Sequence, residues 1–364
     1  MRILYGVVGE GMGHATRSRV LLEELVKHHE VHIVVSGRAQ QYLEQRFSDV
    51  HGIWGLTLAY QGNSVRSWQT LLQNVKGAVT GFPQNIRKYF ELAESFQPDV
   101  VVSDFESFSY LFARNHFLPC ISVDNMQIIN RAKHDAELLR GHEDAFELTR
   151  SLVKAKLPGA FHYLITTFFY PEVRKERTTL LPSILRPEII SARPETGDHL
   201  LVYQTATSNS GLPEILRATG IPCRIYGLRR DLKEDVQDQN LLYRPFSEKG
   251  FIEDLRTARA VIAGGGYTLM SEAVYLHKPV LSIPVEGQFE QVLNALYLGR
   301  LGYGQYAKGL TPAVVTEFLA RVPACQKALE GYVQDGNVKM VAALNEQLER
   351  AVAHKGTWKE ASRD

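Results

Sequence analysis

The chain has 364 residues, 45% of them hydrophobic and 22% charged, with 41 Lys and Arg against 40 Asp and Glu. Such a length favours two domains, and the near-even charge excludes the global basic footprint of a nucleic-acid binder. Three scattered cysteines (Cys120, Cys223, Cys325) match no zinc or redox spacing, no apolar run reaches the roughly 18 residues of a membrane span, and the chain opens directly on a strand, so a cytoplasmic protein without a signal peptide is expected.

RILYGVV reads as a buried strand and runs into GVVGEGMGHATRS. Gly9 and Gly11 fit a dinucleotide fingerprint, but the next glycine, Gly13, comes one residue early, and His14 stands where the last glycine belongs. RSRVLLEELVKH has helical spacing, and EVHIVVSG is the next strand. The stretch from Val65 to Phe96 is mostly helical, with a break near Gly81 and Pro83. PDVVVSD, LPCISVDN and FHYLITTFF read as strands, with a helix over FESFSYLFARNHF. Strands rich in β-branched residues, alternating with helices, predict a parallel sheet covered on both faces.

The segment around Pro182, Pro187 and Pro194 interrupts this rhythm and reads as a linker at 186–197. The pattern then restarts. HLLVYQT is a strand followed by the polar loop ATSNSG, IPCRIYG is a strand, NLLYRPF leads into the helix EKGFIEDLRTA, and RAVIAGGG is a strand running into glycines. The helix TLMSEAVYLH, the strand KPVLSIPV and the helix FEQVLNALYLGRLG complete a second α/β domain, followed by helices from Thr311 to about His354. The expected domains are therefore 1–185 and 198–354, with a frayed tail at 355–364. Ligands of such sheets bind outside the carboxyl ends of the strands, so two such edges facing each other would make an interdomain cleft the site.

The second glycine cluster carries the most chemistry. Gly264, Gly265 and Gly266 lie between a strand and a helix, where backbone can approach a ligand and the helix N-terminus suits a diphosphate. Glu272 follows within that helix, a carboxylate able to accept from two vicinal ribose hydroxyls. The loop after Pro284 supplies Glu286, Gln288, Glu290 and Gln291 at the same sheet edge, acceptors and amides suited to sugar hydroxyls. Singly, these residues have ordinary readings: a tight turn, a solvated helix charge, a surface amide. Their order around a strand and a helix is what points to a nucleotide sugar.

GGGYTLMSEAVYLHKPVLSIPVEGQFEQVLNA resembles the nucleotide-sugar signature of GT-B glycosyltransferases, especially MurG-type N-acetylglucosaminyltransferases and UDP-glycosyltransferases. The matching positions are Gly264 to Gly266, Ser271-Glu272-Ala273, Lys278-Pro279, Pro284, Gln291 and Asn294-Ala295. The N-terminal GEGMGHATRS extends the likeness into the first domain. Two positions depart from it: Gly and Tyr267 stand where many relatives carry histidine, and Glu290-Gln291 replaces the frequent Asp-Gln pair. The resemblance implies an α/β fold of two doubly wound, Rossmann-like parallel-sheet domains facing a central cleft. It also implies that Gly265, Gly266 and Thr268 line the diphosphate and that Glu272 holds the ribose. Glu290 and Gln291 would hold the donor sugar, Thr205, Thr207 and Ser208 would make a second phosphate contact, and a residue near Phe246 would cover the uracil.

In the resembling enzymes a histidine at the position of His14 deprotonates the acceptor hydroxyl, oriented by an aspartate from a later strand end. Asp104, ending PDVVVSD, is the expected partner and Asp124, in SVDN, a competing candidate, while Glu10 is an alternative base and helix capping an alternative role for Asp104. Gly11 and Gly13 would let the acceptor approach, and Arg17 and Arg19 would meet an acidic acceptor or be helix surface charges. No two aspartates are spaced Asp-x-Asp and no His/Cys cluster has ligand spacing, so no metal is expected.

The expected activity is that of an inverting, metal-independent transferase using a UDP-sugar as cosubstrate, with no other cofactor. Its acceptor would be a small molecule or a lipid-linked one. The face carrying Arg66, Lys76, Arg87 and Lys88 among Trp68, Leu71, Leu72, Phe82 and Phe90 fits either a peripheral contact at the inner face of a membrane or a helix packed on its own core. Three rival classes stand beside this reading: an NADP-dependent oxidoreductase using Arg38 for the 2′-phosphate, a hydrolysing UDP-sugar epimerase, and a non-catalytic sugar-nucleotide-binding subunit.

Overall fold

Strand β1 (Arg2–Val7) is buried from Ile3 to Val7 on both of its faces, the environment of a central strand in a helix-covered parallel sheet. The computed structural model describes residues 1–9, 11–54, 60–61, 64–65, 83, 85–204 and 211–355, with 60–61 and 64–65 described by backbone alone. Glu10, Thr205, Thr207, Ser208 and most of the amphipathic face (Arg66, Trp68, Leu71, Leu72, Lys76, Phe82) lie outside the described residues.

Along the chain follow β2 (Glu30–Ser36), β3 (Val50–Ile53), the short antiparallel pair β4 (Tyr60–Gln61) and β5 (Ser64–Val65), β6 (Val100–Asp104), β7 (Cys120–Asp124), β8 (His162–Thr166) and β9 (Thr178–Leu181). The first sheet has the order β3-β2-β1-β6-β7-β8-β9, and each neighbouring pair is parallel. After β1 the chain fills one side of the sheet, and from β6 onward it fills the other. The ends of β1 and β6 therefore flank a topological switch point, where doubly wound sheets bind ligands. Strand β9 takes up Leu181 and the residues before it, so the sheet runs further into the proline-rich segment than the sequence pattern suggests.

The second sheet is built from β10 (Leu200–Tyr203), β11 (Cys223–Tyr226), β12 (Val236–Asp238), β13 (Leu241–Tyr243), β14 (Ala260–Ala263), β15 (Val280–Ser282) and β16 (Gly304–Tyr306). Its order is β12-β13-β11-β10-β14-β15-β16, parallel throughout except for the β12–β13 pair. The switch point lies between β10 and β14, where Tyr203 pairs with Ala263, immediately before the glycine turn.

Contacts divide the chain into two units. One comprises the described residues of Met1–Ala59, Ser67–Arg186 and Asp335–Asp364, the other those of Tyr60–Arg66 and Pro187–Gln334. This corrects the expected boundary at the C-terminus: the helix Val338–Val352 belongs to the first unit, not to the second. Its buried Met340, Leu344, Leu348 and Ala351 join Ile3, Tyr5, Val100 and Ile121 in the first core. Their spacing marks one buried face of a helix, but spacing alone does not say which sheet that face covers. The second core gathers Leu200, Val202, Ile225 and Ile262 with Val315, Phe318 and Val322 of the helix Pro312–Leu329.

Candidate active site

The loop after β1 is drawn tightly against the next strand. Gly9 N–H donates to Ser36 Oγ at 3.1 Å, and a Cβ on Gly9 would overlap the Ser36 carbonyl. Gly11, at φ 88°, leads into the helix Met12–Leu25, which carries half-buried Gly13 and His14 in its first turn. Asp104 is the last residue of β6 and pairs in the ladder with Val7. Geometry selects between the two candidate carboxylates. His14 Nδ1 lies 2.8 Å from Asp104 Oδ1. Asp124 instead accepts from Ser122 Oγ at 2.6 Å and from the Gln127 amide at 2.8 Å, so it is spent on its own turn. Helix capping does not fall to Asp104 at the end of β6: Glu106 caps Ser107–Asn115, accepting from Phe108 N at 2.7 Å and Ser109 N at 2.6 Å, while Phe105 turns the chain at φ 55°.

Arg17 overturns its sequence-based expectation. It is buried, at 3% exposure, rather than set out toward solvent or an acceptor. Its Nε donates to Asp104 Oδ2 at 2.9 Å and its Nη2 to Asp104 Oδ1 at 2.5 Å. Nη1 donates to Asn125 Oδ1 at 2.5 Å, and Nη2 stands 2.6 Å from His14 Nδ1. Ser18 Oγ adds a bond to Asp104 Oδ2 at 2.9 Å. Arg19 is buried too and pairs with Glu23 at 3.4 Å. Asn125, Ser18 and the pairing role of Arg17 were not read from the sequence. The available signal was the i, i+3 spacing of His14 and Arg17, which puts both on one helix face.

Burial by itself would raise the Asp104 pKa, but the Arg17 charge and the hydrogen bonds from His14 and Arg17 outweigh it and hold the carboxyl well below the usual range. Burial and then the Arg17 charge lower the pKa of His14, against the opposing pull of Asp104, so the imidazole is neutral at pH 7. In the tautomer whose Nδ1–H is donated to Asp104, a neutral ring keeps its lone pair on Nε2, the arrangement of a general base. Asp124 is pushed up to about 6, chiefly by burial.

In the second unit, β14 ends at Ala263 and the glycines follow. Gly265 has φ 122°, and a Cβ there would lie 3.0 Å from both Gln291 O and Ser282 Oγ, so backbone conformation and close packing both demand glycine. Gly266 is exposed with open space around it, and it precedes the helix Tyr267–Tyr275 without a side-chain cap. That helix holds half-buried Thr268 and buried Glu272, at 1% exposure. Glu290 and Gln291 open the helix Phe289–Arg300. Asn294 Nδ2 donates to Gly265 O at 3.2 Å and to Glu290 Oε1 at 2.6 Å, tying the glycine turn to the first turn of that helix. Gln291 Oε1 accepts from Val285 N at 3.0 Å, and Gln291 Nε2 donates to Gln288 Oε1. Phe246 follows β13 and is 72% exposed, a ring facing solvent just before the helix Glu248–Arg256.

A family model described as Glycosyl transferase family 1 matches residues 1–323. The chain belongs to that family. This glycosyltransferase is 24% identical over 377 residues to an uncharacterized glycosyltransferase of Methanosarcina mazei, covering 96% of this chain and 95% of that protein. Its fold is similar to that of MurG from Acinetobacter baumannii, with a TM-score of 0.59 at 14% identity over 95% of this chain and 99% of that one. It is also similar to Phytolacca americana UGT2 complexed with UDP-2fluoro-glucose and pterostilbene, with a TM-score of 0.65 at 12% identity over 96% and 98%. The expected pair of doubly wound α/β domains of the GT-B fold is therefore observed in this glycosyltransferase. Among the described residues no helix is long and apolar enough to cross a membrane. On the basic face, Arg87 and Lys88 both bond Glu91 of their own helix, at 2.9 and 2.5 Å.

Proposed function

We propose that this glycosyltransferase is inverting and metal-independent, and that its donor is a UDP-sugar. The observation that carries this reading is the 2.8 Å contact between His14 Nδ1 and Asp104 Oδ1 at the β1–β6 switch point. His14 Nε2 takes the proton of an acceptor hydroxyl as its oxygen attacks the anomeric carbon of the donor. The bond from that carbon to the diphosphate oxygen breaks, the nucleoside diphosphate leaves, and the anomeric configuration inverts. Asp104 holds the ring and stabilises the imidazolium that forms.

The donor reading rests on the second switch point. Gly265, Gly266 and Thr268 line the diphosphate at a helix N-terminus, which supplies backbone N–H groups and the positive end of the helix dipole. Glu272 holds the ribose, Glu290 and Gln291 the sugar, and Phe246 the base, with Thr205, Thr207 and Ser208 as a second phosphate contact. The bound UDP-2fluoro-glucose of the Phytolacca enzyme supports uridine as the base. Loop amides meet the charge of the leaving group here, and the sequence has no Asp-x-Asp pair to place a metal on it. The acceptor is a hydroxyl compound, either a small molecule or a lipid-linked one.

Calorimetry with UDP, dTDP and NADP, followed by turnover of UDP-sugars over an acceptor array with and without EDTA, tests this reading. UDP binding and acceptor-dependent, EDTA-resistant transfer with an inverted product are expected. NADP binding without UDP binding, EDTA-sensitive transfer, a retained configuration, or rapid UDP-sugar consumption without acceptor would each overturn part of it.

A further inference from the structure

We infer that Arg17 is a positioning residue: a buried guanidinium that locks the Asp104 carboxylate in one orientation and keeps a second proton off His14 until an acceptor supplies one. The inference rests on the base role proposed for His14. Arg17 reaches three chain segments at once. It shares the helix of His14, donates through Nε and Nη2 to the two oxygens of Asp104 at the end of β6, and donates through Nη1 to Asn125 just beyond β7. With Ser18 Oγ and His14 Nδ1, Asp104 has two partners on each oxygen. A carboxylate so held has no alternative rotamer that keeps its bonds, and the fork of a guanidinium matches it where an ammonium would not.

The position of Nη2, 2.6 Å from His14 Nδ1, gives Arg17 its second effect. The ring nitrogen faces an anion and a cation together. The anion alone would favour a resting imidazolium, which could not act as a base, and the cation opposes it. The other charge acting on His14 is Lys156, whose Nζ lies 4.1 Å from the Phe105 ring centroid, while Asp124 does not act on the ring but is itself raised by Asp104 and lowered by Arg17. Lys156 opposes protonation as Arg17 does, but without bonding the carboxylate that orients the ring.

The experiment is a 15N and 13C NMR titration of the His14 ring in the full chain, run beside pH–rate profiles for wild type, Arg17→Gln and Arg17→Lys. Arg17→Gln is expected to move the His14 titration and the acid limb of kcat to higher pH, leaving the UDP affinity of the second unit unchanged. Arg17→Lys, which keeps the charge and loses the fork, is expected to titrate near wild type while kcat falls by about 10²-fold. Should Arg17→Gln not fold, the same comparison is made between Asp104→Asn and Asp104→Asn/Arg17→Gln, where the double variant is expected to titrate higher. An unmoved or lowered His14 titration in folded Arg17→Gln or in the double variant, or full turnover in Arg17→Lys, overturns the inference. The NMR arm reads His14 without any substrate, so its failure is distinct from a failure of the transferase reading.

Discussion

Asp104 Oδ1 lies 2.8 Å from His14 Nδ1, although 90 residues separate the two in the chain. The parallel ladder brings them together: Val7 pairs with Asp104, so the strand that launches the His14 loop stops beside the strand that ends in the carboxylate. Loss of the carboxylate should therefore act on the histidine. Asp104→Asn is expected to lower kcat by roughly 10²–10⁴-fold with little change in donor affinity, because it removes the anion that stabilises the imidazolium. In wild type the acid limb of kcat/KM should lie below the ordinary histidine value, since burial and the Arg17 charge both lower the His14 pKa. Steady-state kinetics from pH 5 to 9 check both outcomes. An acid limb above that value would contradict them.

The packed Gly265 and the open Gly266 should separate folding from binding. Gly265→Ala places a Cβ at φ 122° and 3.0 Å from Gln291 O and Ser282 Oγ, and is expected to cost about 1–3 kcal/mol of stability. Gly266→Ala meets nothing within 4 Å and should leave Tm unchanged, while its methyl obstructs the diphosphate and weakens UDP binding. Thermal melts and calorimetry on the two variants give the contrast. Equal effects on Tm would remove the distinction.

Phe246 and Glu272 should weaken the donor from opposite starting points. Phe246 is 72% exposed, so Phe246→Ala is expected to leave stability unaltered and cost about 1–3 kcal/mol of uridine-nucleotide affinity through lost stacking. Glu272 is buried at 1% exposure, and Glu272→Gln keeps its volume while removing the carboxylate proposed to accept from ribose hydroxyls. About tenfold weaker UDP-sugar binding is expected from that change. Wild-type affinity in both variants would leave the base and ribose assignments without support.

Much of the fold was legible because its signals are local. Buried β-branched strands, glycine turns and helical spacing each state themselves within a few residues, and both sheets follow from them. Contacts between distant segments were less legible. The sequence put Asp104 forward as the partner of His14 and kept Asp124 as a competitor, because both end neighbouring strands, and the 2.8 Å contact of Asp104 with the ring and the bonds of Asp124 to Ser122 and Gln127 separate them. Arg17 read as an acceptor contact or a surface charge because arginines mostly stand exposed, and its burial depends on a carboxylate and an amide that arrive from β6 and from just beyond β7. The helix Val338–Val352 was assigned by chain order to the second unit, yet its apolar face covers the first sheet. Asn294 belonged to the recognised motif, but its bonds to Gly265 O and Glu290 appear only once the turn and the helix are folded together.

Asp124 offers a pH test of stability. Its pKa is raised to about 6, so the folded state favours the protonated form and pays for ionisation as pH rises through 6. Asp124→Asn, which cannot ionise, should gain stability relative to wild type at pH 8, by about 1–3 kcal/mol, and keep only about half of that advantage at pH 5, because the cost of ionisation builds up between the ordinary carboxylate value and about 6. Chemical denaturation at the two pH values measures the difference. A constant difference would mean that Asp124 titrates normally.

The most direct test of the account is the turnover of His14→Ala with a UDP-sugar and a responsive acceptor, beside its UDP-sugar affinity and melting curve. Folding and donor binding as in wild type, with kcat lower by about 10²–10⁴-fold, is the predicted result. A folded, donor-binding His14→Ala protein that transfers sugar at the wild-type rate would contradict it.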